Sequence, residues 1–443
     1  MRSGSVNPET GRVVGLSHGG EGIVREGKTA LIAGALPGEL VRFRRARRHR
    51  QYDDALLEAV LEPAPGRVPA RCAHFDICGG CALQHLDHPL QIGLKQRQLA
   101  ESLERIAQLT PPRWLEPVTS RPWAYRRRAR LGVKYVSKKG RVLVGFRERS
   151  SPLIASLDRC EVLAAPVGEL ITPLAALIGQ LSIRQQLPQI EVAVAEQTTA
   201  LVLRVLAAPS TGDAALLRAF ELQHGVRFYL QAGGLDSVRP LTEPAPELSY
   251  TLPEAAVELE FRPTDFVQIN AEVNRALVAA APGLLQLESD ARVLDLFCGL
   301  GNFSLPLARR AAAVVGVEGD AALVERARAN ARRNGIDNAE FHCADLSGTD
   351  LPGAAWLRSA YTHVLLDPPR VGARELLPQI ARLAPRRLLY VSCHPGTLAR
   401  DLGELVHQHG FELLAAGVVD MFSHTAHVES LALLQPHGGG HGR

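Results

Sequence analysis

From about residue 266 onward, the chain alternates short apolar runs with segments of helical periodicity. The apolar runs are "ARVLDLF", "AAVVGVE", "THVLLD", "RRLLYVS" and "SLALL", and helical segments follow the first, second and fourth of them. Such alternation argues for a parallel, doubly wound sheet, because consecutive parallel strands need a crossover that is usually a helix. We therefore predict a Rossmann-like α/β domain over residues 266–443.

The N-terminal part has a different pattern. The chain has 443 residues, which is too many for one ordinary domain. Residues 12–61 contain short apolar runs separated by turns rich in glycine, proline and charged residues, such as "SHGGEG" and "GALPGE". These runs predict five strands, centred near Val13, Ile23, Leu31, Val41 and Leu57. Five short strands with tight turns suggest a small barrel of the oligonucleotide-binding type, which we assign to residues 1–61.

A middle α+β domain is predicted between these two parts, over residues 62–265. The proline-containing segment "EPAPGRVPAR" reads as a linker, and "LQIGLKQRQLAESLERIAQL" has helical periodicity. From about Tyr125 to Gly234, strand-like runs such as "RLGVKYV" and "IEVAVAE" suggest antiparallel hairpins. The complete chain is therefore expected to be a multidomain α/β protein.

Positive charge is concentrated in two stretches of the N-terminal half. Residues 42–50, "RFRRARRHR", contain six arginines and no acid, and residues 121–149 contain eleven Lys or Arg against one Glu. Clustered charge of this kind is typical of a surface that binds a polyanion, although a solvated basic face is the alternative. Phe43, Trp123 and Tyr125 are interleaved with the arginines, and aromatic rings among arginines suit unstacked bases. The pattern favours single-stranded RNA as partner.

The strand "RVLDLF" runs directly into the glycine loop "CGLGNF", as in nucleotide-type cofactor sites. Gly299 and Gly301 allow the backbone to approach a ligand, and Glu318 ends the next strand, where a carboxylate can bind two ribose hydroxyls. Ser304 occupies the position at which a dinucleotide site would have a third small residue. Asp295 suits a cationic sulfonium better than a pyrophosphate, so S-adenosylmethionine is favoured over NAD.

Two further strands end in residues that can carry chemistry. Asp367 begins "DPPRVG", and Cys393 lies in "YVSCHPGT". Because open α/β sheets bind ligands at the carboxyl ends of their strands, both side chains are expected at one crevice. A turn after a buried strand and a structural cysteine are the alternatives. The helix that should begin after Cys393 is expected to lower the pKa of this thiol and favour a nucleophile.

Three of the seven cysteines lie within ten residues, "CAHFDICGGC". No apolar run approaches the roughly 18 residues of a membrane span, and the first residues lack the apolar core of a signal peptide. We therefore expect a cytoplasmic protein with reduced thiols, in which metal binding is a better interpretation than disulfides. Cys72, Cys78 and Cys81 would need a fourth ligand, and Cys160 is the one cysteine left outside the α/β domain. Zinc remains possible, but "CGGC" allows amides to approach cluster sulfurs, which favours [4Fe–4S].

Taken together, the motifs resemble the RNA uracil-C5 methyltransferases. The resemblance rests on "LDLFCGLGNF", "DPPRVG", "YVSCHPGTLARDL" and "MFSHTAHVE", in this order. The segment "GLSHGGEGIV…ALPGELV" resembles the TRAM RNA-binding domain, and the cysteine cluster matches the iron–sulfur site of the branch that acts on 23S ribosomal RNA.

The resemblance implies roles for individual residues. Cys393 corresponds to the nucleophile of the family and Glu429 to its general base. The positions that correspond to its cofactor contacts are Gln268, Phe297, Asn302, Glu318, Asp345 and Asp367. Two residues depart from the family pattern: His394 stands where an Asn is usual, and Ser423 where a Pro is usual.

The expected function is S-adenosylmethionine-dependent methylation of a uridine in 23S ribosomal RNA by a monomer that does not bind membranes. A thiolate that adds to uracil C6 makes C5 nucleophilic, and a carboxylate then removes the C5 proton. The alternatives are a related enzyme for another 23S site or for transfer RNA, and a non-catalytic iron–sulfur RNA-binding regulator. The transfer RNA uracil-54 enzymes are expected to lack both the barrel and the cysteine cluster.

Overall fold

A computed structural model describes residues 7–346 and 354–438. Residues 1–6 and 439–443 lie outside this part, so the domain limits predicted at the two ends of the chain stay predictions. In the part of the chain that the structure describes, no helix combines the length and the apolar character that a membrane crossing requires.

The N-terminal sheet has six strands instead of the predicted five. They are β1 (Glu9–Arg12), β2 (Gly15–Leu16), β3 (Gly22–Val24), β4 (Thr29–Ile32), β5 (Leu40–Arg48) and β6 (Tyr52–Glu62). Their order is β1-β5-β6-β4-β3-β2, so the two edges are formed by strands that follow each other in the chain. The sheet is therefore curled around its own apolar core, which contains Val24, Ile32 and Phe43.

The difference in strand number arises at Val13. This residue was predicted at the centre of a strand, but it lies where the chain crosses from one edge of the sheet to the other. Its N–H donates to the carbonyl of Glu39 at 2.9 Å, whereas the N–H of Val14 donates to Ile23 at 2.8 Å. Two consecutive residues thus donate hydrogen bonds in different directions, one to the residue before β5 and the other to β3. Sequence periodicity cannot reveal such a crossing.

The cysteine segment leads into α1 (His88–Ser102), whose final turn continues as a π-helix over Leu103–Ala107. The Asp87 side chain caps the helix by accepting from the N–H of His88 at 3.0 Å. The predicted helix is confirmed here. Its buried positions Gln91, Lys95 and Leu99 are four residues apart and so lie on one face.

The middle sheet is formed by six strands with two helices beside it. These elements are β7 (Arg128–Val136), β8 (Arg141–Gly145), α2 (Ile171–Gln180), β9 (Gln189–Val194), β10 (Thr199–Arg204), α3 (Thr211–His224), β11 (Val226–Gln231) and β12 (Arg239–Pro240). The strand order is β12-β11-β10-β9-β7-β8. The predicted antiparallel pairing is confirmed for most neighbours but is wrong for β10 and β11, which are parallel because α3 connects them.

The C-terminal part begins with the hairpin β13 (Ser249–Leu252) and β14 (Val257–Glu260), followed by α4 (Ala271–Leu285). The main sheet and its helices comprise β15 (Arg292–Leu296), α5 (Ser304–Ala308), β16 (Ala313–Glu318), α6 (Ala321–Arg333), β17 (Ala339–Cys343), β18 (His363–Leu366), α7 (Leu377–Leu383), β19 (Arg387–Ser392), α8 (Pro395–His409), β20 (Phe411–Val419) and β21 (Glu429–Pro436).

The strand order of this main sheet is β17-β16-β15-β18-β19-β21-β20. The five strands from β17 to β19 are parallel, as the alternating pattern predicted. The prediction is wrong for the last two strands, because β21 is antiparallel to both β19 and β20. β21 is thereby inserted between β19 and β20, and its first residue reaches the edge where the parallel strands end.

The register of the sheet aligns these strand ends. Leu296 pairs with both Val317 and Leu366, and Leu366 pairs with Tyr390. The residues that follow β15, β16, β18 and β19 therefore lie side by side along one edge, where open α/β sheets bind their ligands.

Candidate active site

The glycine loop after β15 is anchored to the neighbouring strand β16. The N–H groups of Phe297 and Cys298 both donate to the carbonyl of Val317, at 2.9 and 3.1 Å. Phe297 has a φ of +65°, an unusual conformation for a non-glycine residue that marks strain at a functional loop. Gly301 has a φ of +94°, and a Cβ there would lie 3.1 Å from Leu305, so glycine suits both the backbone and the packing.

Glu318 and Asp295 are both fixed by hydrogen bonds at this loop. The Glu318 carboxylate accepts from the N–H groups of Gly299 and Asp320, each at 3.0 Å. Asp295 is fully buried, and its Oδ2 accepts from the Ser304 hydroxyl at 2.5 Å. Its Oδ1 has no hydrogen-bond partner among the described residues. Ser304, which argued against a dinucleotide in the sequence, thus orients the acid of the loop.

The carboxylates at this edge repel one another. Burial is the largest cause that raises the pKa of Asp295 to about 7, and the nearby Asp367 and Glu318 contribute to this rise. Burial likewise raises the pKa of Asp367 to about 7. Negative charge is therefore poorly compensated here, which is the electrostatic condition that a cationic ligand would relieve.

The same edge is supported by contacts with β13 and α4 and with Arg127 of the middle domain. Asn302 exchanges two amide hydrogen bonds with Asn274, both at 2.9 Å, and accepts a third from the Tyr250 hydroxyl at 2.9 Å. The guanidinium of Arg127 lies 4.3 Å from the centre of the Tyr250 ring. Arg127 also donates to the backbone carbonyl of Gln268 at 2.7 Å. Gln268 and Asn302 are therefore held together, although 33 residues separate them in the chain.

Asp345 lies two residues beyond the end of β17, on the outer side of this row of strand ends. Its backbone neighbour Ala344 donates to the carbonyl of Glu318 at 3.0 Å. Five of the six predicted cofactor positions thus follow or end strands at one edge of the sheet, and Gln268 is tied to them through Arg127. Asp345 is exposed.

Cys393 and Glu429 lie on adjacent strands. Cys393 directly follows β19, whose last residue Ser392 pairs with Ser430, and Glu429 precedes Ser430 in β21. Burial, the Glu429 carboxylate and then Asp367 raise the pKa of the Cys393 thiol, which Arg370 lowers. The expectation that the start of α8 would lower this pKa is therefore wrong, because burial and two acids outweigh the helix.

His394 has a structural role. It is the N-cap of α8, and its Nδ1 accepts from the N–H of Thr397 at 3.2 Å. Its ring faces that of His18, which belongs to the loop between β2 and β3, with centroids 6.1 Å apart. The departure from Asn thus preserves the cap and brings the N-terminal sheet next to the residue that follows Cys393.

Glu429 has the environment of a general base. It is 4% exposed, and in residues 7–346 and 354–438 its Oε2 finds no hydrogen-bond partner. Burial is the largest cause that raises the pKa of Glu429 to about 8; Asp367 contributes to this rise, and Lys95 opposes it. A carboxylate with such a pKa can accept a proton near neutral pH.

The four cysteines predicted as ligands line one small cavity. Cys72, Cys78 and Cys81 surround it together with Cys160. Burial raises the pKa of Cys78 to about 11 and that of Cys81 to about 12, and the other three cysteines add to the shift at Cys81. The N–H of Gly80 donates to the sulfur of Cys78 at 3.4 Å, as the "CGGC" spacing suggested.

Cys160 is brought to this cavity by a close backbone approach. Its N–H donates to the carbonyl of Gly168 at 2.9 Å. A Cβ at position 168 would lie 2.5 Å from the Cys160 oxygen, so only glycine permits the contact. Across the described ranges, no three histidine, cysteine or acidic side chains are arranged to hold a single metal ion.

A larger cavity of about 530 Å³ opens beside the cysteines and the catalytic edge. It is bounded by the β2–β3 loop, the cysteine segment and the loop before β21, and it is lined by arginine, aromatic and histidine side chains. These are Arg126, Arg147, Arg149, Phe146, Phe422, His18 and His427. Charged and aromatic side chains therefore line this cavity.

Sequence reasoning did not identify the residues that hold the loop before β21. A hydrogen-bonded network lies there, formed by Lys95, Asp420 and His88. Lys95 and Asp420 are 325 positions apart in the chain. The signal in the sequence is the polar spacing Gln91–Lys95 on the buried face of α1, which a hydrophobic helix face would not show.

A doubly wound sheet with a glycine loop, acidic strand ends and a cysteine at the same edge defines a methyltransferase that uses S-adenosylmethionine. A protein-family model described as tRNA (Uracil-5-)-methyltransferase matches residues 248–437. The 23S rRNA (uracil(1939)-C(5))-methyltransferases RlmD of Alkalilimnicola ehrlichii and Nitrosococcus oceani are 52% and 49% identical to this chain. The alignments cover 96% of this chain and 95% of the first relative, and 97% of both chains for the second. The chain therefore belongs to the RlmD family of 23S rRNA (uracil-C5)-methyltransferases.

The fold is shared with a more distant enzyme. The tRNA (uracil-54, C5)-methyltransferase of Pyrococcus abyssi, in complex with S-adenosyl-L-homocysteine, superposes with a TM-score of 0.74 at 24% identity. The superposition covers 96% of this chain and 99% of that enzyme, so the N-terminal sheet has a counterpart there. The expectation that such transfer RNA enzymes lack the barrel is therefore wrong, and the barrel alone does not separate the two branches.

Proposed function

We propose that the chain methylates C5 of uracil 1939 in 23S ribosomal RNA, with Cys393 as nucleophile and Glu429 as general base. The relatives that cover almost the whole chain are named for this reaction. One observation supports the residue roles. Cys393 follows β19, and the buried Glu429, whose Oε2 has no hydrogen-bond partner among the described residues, begins the neighbouring β21 at the acidic edge of the sheet.

The reaction divides between these two side chains. The thiolate of Cys393 adds to C6, and the electrons of the C5–C6 double bond move toward O4. S-adenosylmethionine, when bound, supplies the methyl group that C5 takes. Glu429 then removes the proton from C5, the double bond forms again, and the bond between Cys393 and C6 breaks. Arg370, which lowers the pKa of Cys393, favours the thiolate that begins the sequence.

The acidic edge suits the cofactor. Gly299 and Glu318 would hold its ribose, and Asp295 with Asp367 would face its positive charge. Both aspartates have pKa values near 7, so they are largely protonated at pH 6 and largely ionised at pH 8.

S-adenosylmethionine should consequently bind more tightly as the pH rises from 6 to 8. Each carboxyl group whose pKa falls on binding contributes up to about tenfold. S-adenosylhomocysteine has a neutral sulfur and serves as the matched ligand, and its affinity should change less. Calorimetric titrations at both pH values measure the two dissociation constants. The same pH dependence for both ligands would contradict a role of the acids toward the sulfonium.

We propose that RNA crosses the N-terminal sheet, as a TRAM domain, and enters the 530 Å³ cavity. On β5, Arg42 and Arg44 are exposed, whereas the buried Phe43 belongs to the core of the sheet. The aromatic contact expected from Phe43 is therefore assigned instead to the cavity rings Phe146 and Phe422. The target base must leave the RNA stack to reach Cys393.

We also propose that Cys72, Cys78, Cys81 and Cys160 hold a [4Fe–4S] cluster. The shared cavity and the amide of Gly80 near a ligand sulfur support it. Its role is structural, because it would join the segment before α1 to the middle sheet.

Protein purified without oxygen should be brown, with broad visible absorption and about four irons per chain, the content of such a cluster. Cys160→Ser should lose most of the iron and the colour, because one ligand is removed. Cys343→Ser changes an exposed cysteine away from the cavity and should keep both. Iron analysis with visible spectroscopy measures these contents. A colourless protein with one zinc per chain would contradict the cluster.

The proposed function is tested with 23S ribosomal RNA from a strain that lacks the modification and methyl-labelled S-adenosylmethionine. Label should appear as 5-methyluridine, and mapping should place it at position 1939. Transfer RNA from the same strain is the matched substrate and should stay unlabelled. Binding of RNA without any methylation, with the cluster intact, would instead favour the non-catalytic regulator.

A further inference from the structure

The loop between β20 and β21 leads directly into Glu429, and α1 holds it through a buried lysine. Lys95 is 2% exposed. Its ammonium donates to Asp420 Oδ1 at 2.6 Å and to the backbone carbonyl of Phe422 at 2.9 Å. Asp420 is the first residue after β20, so this lysine is bound at the start of the loop that supplies the base.

The other atoms of the network complete the hydrogen bonding of Asp420. Its Oδ2 accepts from His88 at 2.7 Å and from the Ser423 hydroxyl at 2.5 Å. Burial alone would raise the pKa of Asp420, but His88, Lys95 and Ser423 hold it well below the usual range. The carboxylate thus stays ionised, and a buried ion pair that is fully hydrogen-bonded fixes one geometry. Ser423, which replaces the usual Pro, adds one of these bonds.

The middle of the loop is held as firmly. His424 has a φ of +63°, and its N–H donates to the Gln91 side chain at 3.0 Å. Its carbonyl accepts from the N–H groups of Ala82 and Leu83, at 2.8 and 2.9 Å. A strained residue with this many partners has one position, so the path of the chain into β21 is fixed.

Lys95 belongs to the charged surroundings of Glu429. It lowers the pKa of Glu429, against burial and Asp367, which raise it. The other charged and titratable groups facing this assembly come from several elements. They are Asp367 and Cys393 toward Glu429, His88 and His424 beside Asp420, Arg71 near His424, and His427, Arg126 and Arg370 at the end of the loop.

We propose that Lys95 is a positioning residue for the general base: through its hydrogen bonds to Asp420 and to the Phe422 carbonyl it fixes the loop that leads into Glu429. This inference rests on the proposed function and deepens it. Lys95 touches neither RNA nor cofactor in this role, and its effect falls on the last step, in which Glu429 removes the C5 proton and Cys393 is released.

Adduct formation and release can be timed separately. In a single turnover with labelled 23S ribosomal RNA, a denaturing gel separates the RNA-linked protein from free methylated RNA. Lys95→Met should slow release about tenfold and leave the rate of adduct formation within about twofold, because Glu429 is displaced while Cys393 is not. Lys95→Arg keeps a charged donor to Asp420 and should keep both rates.

Two further variants make the result decisive. Lys95→Met removes the cation beside the buried Asp420 carboxylate and can prevent folding, so Lys95→Met/Asp420→Asn removes both charges and should show the same slow release with unchanged adduct formation. Lys28→Met removes a lysine that contacts Asp53 at the same 2.6 Å, but in the N-terminal sheet, and should leave both rates unchanged.

Release at the wild-type rate in the Lys95→Met and double variants, or adduct formation slowed as much as release, would overturn the positioning role. Wild-type protein that forms neither the adduct nor 5-methyluridine would instead contradict the proposed function itself, so the two failures are distinguishable.

Discussion

Cys393→Ser abolishes methylation of 23S ribosomal RNA, with a loss of at least about 10⁴-fold in turnover, the scale expected when a covalent nucleophile is removed. A serine hydroxyl is far less acidic than a thiol and cannot supply the anion that adds to C6. The thiol is already disfavoured as an anion here, because burial and two carboxylates raise its pKa. Transfer of labelled methyl groups to RNA under multiple turnover measures the effect.

Cys343→Ser is the matched control for this prediction. Cys343 ends β17 and is exposed, so the same change of sulfur to oxygen should leave turnover within about twofold, as for most surface substitutions. S-adenosylmethionine should bind both variants equally well. Turnover of Cys393→Ser at the wild-type rate would refute covalent catalysis by this residue.

Glu429→Gln has the second largest expected effect, and its signature is different. The amide cannot accept the C5 proton, so addition and methyl transfer proceed while release slows by about 10²–10⁴-fold, the usual contribution of a general base. Methylated RNA should therefore accumulate covalently linked to the protein, visible as a band that survives denaturation. The wild type should show the band only transiently.

Glu404→Gln supplies a control with the same chemical change. Glu404 lies on α8 and contacts the exposed Arg374 at 2.8 Å, away from the strand ends. It should release RNA at the wild-type rate. If Glu429→Gln gave neither a linked band nor a slower release, another group would have to be the base.

The positions of the active-site residues could be predicted because they follow recognisable strands. Asp367 and Cys393 come directly after apolar runs, and parallel strands bring their carboxyl ends to one edge. Cys160 could be assigned by elimination, and the structure places it at the same cavity as the other three cysteines. For Asp367 and Cys393 the local sequence therefore determines where the side chain lies, whereas for Cys160 the count of remaining cysteines was sufficient.

What could not be predicted depends on contacts between distant segments. The ion pair between Lys95 and Asp420 joins α1 to the loop before β21, and neither local sequence reveals the other. The direction of the Cys393 pKa was wrong because a helix start is visible in the sequence, whereas the burial of a neighbouring acid is not. The expected contact between Phe43 and RNA bases was wrong for a related reason, because the alternation of side chains along β5 points the Phe43 ring into the core.

The insertion of β21 between β19 and β20 has a consequence for biosynthesis. β21 is translated after every other strand of the sheet, yet both of its neighbours need it to complete their hydrogen bonding. Until its eight residues have left the ribosome, β19 and β20 lack the strand that joins them, and Glu429 cannot take its place beside Cys393. The strand made last thus completes the sheet and brings the proposed base to the strand ends in one step.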